Sequence, residues 1–202
     1  MTARRFEEFW TSTYGLVPPI SYLFRCAYPE RWFRIHSLPA SKRYPENDAE
    51  WGILLDRQNA LISDLLADDP TVFLVTGEYD FSSNNKSEWP FSPADSIRHL
   101  AFAELQPVAL ETINTGRSPD DYAPGDVYRP VFSELSWQPS AWDKLLIDIA
   151  NDEISAFFVS IRNELIIAPY DGGVDVILKD GLTRDTYRAQ YKKWLSARED
   201  GL

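Results

Sequence analysis

Ile154 to Gly181 reads ISAFFVSIRNELIIAPYDGGVDVILKDG, and the fold class follows from this stretch. ISAFFVSI and ELIIAPY are short apolar runs separated by Arg162-Asn163, the pattern of two strands joined by a hairpin. Asp171-Gly172-Gly173 is a second turn signal, because glycine accepts φ > 0 without steric cost and Asp can bond backbone N–H groups two residues on. VDVIL follows as a third strand, closed by the turn Lys179-Asp180-Gly181. A helix is expected on either side. Trp142, Leu145, Leu146 and Ile149 recur at helical spacing before the strands, and Ser140 with Asp143 has capping-box spacing. Tyr187, Tyr191, Trp194 and Leu195 line one face over Arg184–Arg198. The C-terminal third is therefore helix, three-strand meander, helix.

Working outward, residues 3–14 form a short helix with Phe6, Phe9 and Trp10 on one side, ended by Pro18-Pro19. RWFRIHSL (31–38) suits a strand. Residues 45–67 carry the longest helical stripe (Trp51, Leu54, Leu55, Ile62, Leu65, Leu66), with acidic residues in the first turn, where the helix dipole favours them. TVFLVTGEYD reads as a buried strand closing at Gly77. IRHLAFAELQPVALETI is ambiguous between helix and strand, and VFSELSW is a strand. Ser-, Asn- and Pro-rich stretches near 81–96 and 114–126 read as long loops, which in a compact domain are often functional. The expected class is α+β: one domain over residues 1–202, an antiparallel sheet covered by helices on at least one face.

The chain has 202 residues, 14% of them aromatic, and a net charge of −11. That aromatic content can support a substantial core. A single cysteine, Cys26, excludes an internal disulfide framework and fits a reducing compartment. In LFRCAY it reads as a small apolar residue. Glu7 and Glu8 interrupt the N-terminal apolar residues, so no signal peptide is expected. No run approaches a membrane span of about 20 apolar residues. These features together predict a cytoplasmic protein.

The charge is uneven. Residues 1–43 carry seven Lys/Arg against three Asp/Glu, residues 44–153 six against twenty-one, and residues 154–202 seven of each. A field of −15 over the middle repels phosphate backbones, which disfavours nucleic acid, and attracts a basic protein partner.

Recognised chemical motifs are absent. His36 and His99 are the only histidines and lack the spacing that places two imidazoles on one metal. No G-x-S-x-G, phosphate-binding loop or dinucleotide fingerprint occurs, and neither a metal nor a cofactor is expected. Asp171 and Asp175 could divide acid and base roles if they converge. The competing reading has Asp171, Gly172 and Gly173 as a structural turn and Asp175 on the far side of a strand whose Val174, Val176 and Leu178 face the core.

NELIIAPYDGGVDVILKDG and YKKWLSARED resemble the tail of a bacterial family known as domain of unknown function 3885. Its members carry a Tyr-Asp-x-x-Gly-x-Asp-like hairpin and then a helix with Tyr-x-x-Trp. Here these fall on Tyr170, Asp171, Asp175, Tyr191 and Trp194. RWFRIHSL and DRQNALISDLL resemble the family's first half. Gly172-Gly173-Val174 departs from the family's more polar Asp-Arg-Gly turn. The family implies no activity.

The leading expectation is a non-catalytic binding protein, immunity- or antitoxin-like, that inhibits a basic toxin domain. Its recognition residues would be Glu78, Asp80, Glu88, Trp89, Asp120, Asp121, Tyr122 and Asp126, because loop aromatics beside carboxylates serve as interface anchors. The alternatives are a small enzyme using Asp171 and Asp175, with or without a divalent metal, and a structural or oligomeric protein with no dedicated ligand.

Overall fold

A computed structural model describes residues 1–81, 91–113 and 122–198. Among these, five α-helices flank one antiparallel sheet of eight strands. The helices are α1 (Ala3–Tyr14), α2 (Ser21–Ala27), α3 (Asp48–Leu65), α4 (Asp143–Ala150) and α5 (Gly181–Gln190). The strands are β1 (Trp32–His36), β2 (Thr71–Asp80), β3 (Ala103–Glu104), β4 (Val108–Ala109), β5 (Val127–Ser136), β6 (Ala156–Ser160), β7 (Leu165–Tyr170) and β8 (Gly173–Ile177). Their order is β1-β8-β7-β6-β2-β5-β3, with β4 also on β5. The expected α+β class and the C-terminal meander β6-β7-β8 are both present.

Helices cover both faces of the sheet. On one side, Leu61, Ile62 and Leu65 of α3 and Leu145, Leu146 and Ile149 of α4 meet Leu74, Phe158, Ile167, Val174 and Val176. On the other, Phe6, Trp10 and Tyr14 of α1 and Phe24 of α2 meet Phe73, Val75, Phe132, Phe157 and Ile166. Double coverage explains why β6 and β7 read as unbroken apolar runs, since a strand buried on both faces has no polar side to alternate. All five residues of β6 are buried.

Several local expectations change. α1 ends before Pro18-Pro19, at Tyr14, where Gly15 with φ 67° is its C-cap and donates its N–H to the Thr11 carbonyl, and α2 starts two residues after the prolines. Gly77 does not close β2, which continues to Asp80. A Cβ at Gly77 would lie 2.5 Å from the Arg129 carbonyl oxygen and 2.7 Å from the Tyr128 ring, so glycine is there to let β5 approach. Ser140 is no helix cap. It has φ 63°, and its N–H donates to Asn59 Oδ1 (2.8 Å), while Asn59 Nδ2 donates to Asp143 Oδ1 (2.7 Å), so α3 fixes the start of α4 through one amide. Lys179-Asp180-Gly181 is a helix start and not a turn: Asp180 Oδ1 accepts the Thr183 N–H at 2.7 Å and caps α5. No helix of the described residues is long and apolar enough to cross a membrane.

Candidate functional site

β2 and β5 pair over ten residues, from Thr71↔Ser136 to Asp80↔Val127, whereas β6 covers β2 only at Phe73–Thr76. The Gly77–Asp80 half therefore overhangs the sheet as a two-stranded ribbon, backed by β4 through Val108↔Tyr128 and Ala109↔Val127. A ribbon this narrow needs its own apolar support. Ile20, Leu110 and Tyr128 supply it, with Leu23, Tyr79, Ile113 and Tyr122 packed against them. The Tyr79 ring lies 4.9 Å from Tyr128 and stacks on Phe81 at 6.1 Å. Tyr22 and Tyr122 share a hydroxyl–hydroxyl bond of 3.1 Å. Burial pushes the Tyr128 hydroxyl well above the ordinary tyrosine range, so it stays neutral. Phe81 and Tyr22 remain 41% and 37% exposed.

Four of the eight recognition residues expected from sequence gather at this ribbon end, with different duties. Glu78 Oε1 accepts the Ser92 N–H at 3.2 Å. Asp80 Oδ2 accepts from Arg129 Nη2 (3.0 Å) and Nε (3.1 Å), with its side chain only 13% exposed. Asp126 is buried and accepts the Ala123 N–H at 2.9 Å. Tyr122 is half-buried over the ribbon's own core. Glu88, Trp89, Asp120 and Asp121 lie outside the described residues. Asp80 and Asp126 thus hold the ribbon together, and exposed carboxylates on this side come from Glu104 and Glu111. Sequence reasoning missed both, because nothing in the 97–113 stretch says that its residues pair with β5.

At the opposite edge of the sheet stands the Tyr170–Asp175 hairpin. Its two-residue turn brings Tyr170 opposite Gly173, and Asp175 lands between Ala168 of β7 and Arg34 of β1. Neither glycine has positive φ; among the described glycines only Gly15 and Gly125 do. Their role is space. A Cβ on Gly172 would lie 2.9 Å from the Tyr170 ring, and one on Gly173 would fall on the Ile35 carbonyl oxygen, far inside contact distance.

Asp171 stands in this turn, and its side chain reaches across to the segment after β1. Its Oδ2 accepts from Arg43 Nε (2.7 Å) and Tyr44 Oη (3.0 Å), tying down the segment after β1. Asp175 Oδ1 accepts from Trp32 Nε1 (2.9 Å) and Arg34 Nε (2.6 Å), and Oδ2 from Arg34 Nη2 (2.7 Å). Arg34 also lies 4.5 Å over the Tyr170 ring. Burial lowers the Arg34 pKa, but the Asp175 hydrogen bonds and charge outweigh it and the guanidinium is held in its charged form. Burial likewise pushes the Tyr170 hydroxyl up to about 12. The two aspartates turn to different arginines, Asp171 to Arg43 and Asp175 to Arg34, so each carboxylate is engaged in its own ion pair. Among the described residues no three His, Cys, Asp or Glu side chains are grouped as metal ligands. His99 stacks on Trp142 at 6.0 Å, and Cys26 is exposed where an apolar, buried residue was expected.

His36 continues this network. It is buried, its carbonyl accepts from Arg57 Nη1 of α3 at 2.9 Å, and its Nε2 has no hydrogen-bond partner. Arg57 in turn lies 5.3 Å over the Trp194 ring, and Tyr191 Oη donates to Asp64. Burial first, then the charges of Arg34 and Arg57, lower the His36 pKa; Asp175 opposes them. Since the unfolded imidazole titrates near about 6.5, the unfolded chain binds this proton more readily. The stability linked to His36 is fully present above about 6.5 and is lost as pH falls from there through the lower folded value. We expect the melting temperature to drop between about pH 7.5 and 5.5, and His36→Gln to flatten that slope. An unchanged slope in the variant would remove His36 as the cause.

A family model described as domain of unknown function 3885 matches residues 20–199. Neither a curated protein nor a solved structure matches the chain. The chain belongs to the family of domain of unknown function 3885.

Proposed function

We propose that this protein is a non-catalytic binding protein of the cytoplasm, an immunity- or antitoxin-like inhibitor whose acidic surface engages a basic toxin domain. The observation that carries the reading is the excess of twenty-one Asp/Glu over six Lys/Arg across residues 44–153, coupled to exposed aromatic side chains on the β2–β5 ribbon. An inhibitor must reach its target before damage occurs, and opposed charge raises the encounter rate. Phe81 and Tyr22 then supply rigid apolar area that holds the formed complex.

The test is a salt series of binding kinetics against the product of the adjacent gene. The association rate should fall at least about tenfold from low to high salt. Glu104→Lys with Glu111→Lys should slow association and leave the melting temperature nearly unchanged, because exposed charges contribute little to folding. Phe81→Ala should act on dissociation, by about 2 kcal/mol if it is an anchor. Association independent of salt and of both reversals would assign the charge to solubility alone.

A further inference from the structure

Beside the ribbon runs an apolar groove of about 500 Å³. Phe6 and Trp10 of α1 line it on one side, with Val17 and Pro18 beyond them, and Leu105 to Ala109 line the other. Glu7 lines the groove as well, and its Oε1 accepts the Gln106 N–H at 2.8 Å, bridging the two walls. Among the described residues it is the one charged group in a lining otherwise apolar or neutral. Leu16 stands at the rim, 92% exposed. Past Leu16, Val17, Pro18 and Thr112, which line both, a second groove of about 570 Å³ extends to Tyr22 and the cationic Arg25.

The groove is continuous with the ribbon end. Val108 and Ala109, in its wall, are the β4 residues that pair with β5, and Thr112 adjoins Ile113 of the ribbon's small core. Exposed Glu104 and Glu111 bracket this wall. An apolar floor inside an acidic rim is the anatomy of a protein interface. The length of the paired grooves suits an extended chain segment better than a compact small molecule. In the first groove, Glu7 inside and Glu104 and Glu111 at the rim select the sign of the part seated there, because an anionic group would bring like charges together in a partly desolvated site.

We propose that the groove between α1 and residues 105–109 docks a cationic, amphipathic segment of the partner, with a large apolar side chain seated between Val17 and Pro18 on one wall and Pro107 and Val108 on the other, the accessible apolar positions of the lining. The proposal rests on the partner-binding reading above and adds where the apolar anchor goes.

Three synthetic peptides of equal length serve as probes: Lys alternating with Leu, Lys alternating with Ser, and Glu alternating with Leu. Their affinities for the full chain are measured by fluorescence anisotropy. The Lys–Leu peptide should bind at least about tenfold tighter than Lys–Ser, the effect of one seated apolar side chain. Thr11→Gln and Thr112→Gln, both at exposed groove positions, should fill the groove without changing its charge, erase that advantage and leave the weaker Lys–Ser binding in place. Equal affinity of the two Lys peptides would overturn the groove while leaving the acidic-surface reading intact. Absence of binding by either would overturn both. Glu–Leu binding as tightly as Lys–Leu would overturn the cationic assignment, showing a groove that takes apolar chains of any charge.

Discussion

Gly173→Val should lower stability by about 3 kcal/mol or more, because a side chain there overpacks a buried strand pair. The added Cβ would sit on the Ile35 carbonyl oxygen, which is backbone and cannot rotate away. β8 would have to part from β1, whose five residues Trp32–His36 pair with no other described strand. In a chain of this size the loss corresponds to a melting temperature roughly 10 °C lower. Gly172→Val is the internal comparison. Its Cβ would meet the Tyr170 ring at 2.9 Å, and a ring can tilt, so about 1 kcal/mol is expected. Thermal melts decide it, and hydrogen exchange adds the location, since β1 amides should lose protection first. A Gly173→Val protein that melts with the wild type would mean the close approach is not what the glycine is for.

That glycine shows where the sequence was legible and where it stopped. The turn was readable, because Asp-Gly-Gly between two apolar runs has few other readings. The reason for the glycines was not, since a turn can demand positive φ or close approach and both leave the same residue. The same division runs through the fold. α1, α3 and the meander arise from periodicities of about 3.6 and about 2 acting within single segments. Long-range pairing is different. Nothing local says that Glu104 lies across from Val131, or that Asn59 of α3 would bridge the Ser140 N–H and the Asp143 carboxylate at the start of α4. Two of the expected recognition residues show the same limit. Asp80 and Asp126 look like free surface charge until Arg129 and the Ala123 N–H are brought against them. Composition locates a charged region, but tertiary partners decide which carboxylates remain available to another molecule.

Asp175→Asn should cost about 3 kcal/mol, at the low end of the penalty for removing one half of a buried ion pair. Reading VDVIL by alternation puts Asp175 on the side away from the valines, and a strand with one solvated face would make the substitution mild. The sheet has no such face here. Asp175 and Arg34 are each 14% exposed, and the neutral amide would leave the Arg34 guanidinium over Tyr170 without its counter-charge. Asn can keep the Trp32 bond but not a charged bidentate clamp on Arg34. Removing both charges with apolar groups, as Arg34→Met with Asp175→Leu, should recover much of the loss, since the desolvation cost of the pair disappears with it. Urea denaturation of the wild type, Arg34→Met, Asp175→Leu and the double variant closes a thermodynamic cycle on the interaction. An Asp175→Asn protein within about 0.5 kcal/mol of wild type, the size of an ordinary surface substitution, would sink the structural role. Partner binding by the double variant separates the remaining readings. If it binds as the wild type does, the Arg34–Asp175 pair serves the fold; if it folds and has lost function, Asp175 belongs to a chemical site and the enzyme reading returns.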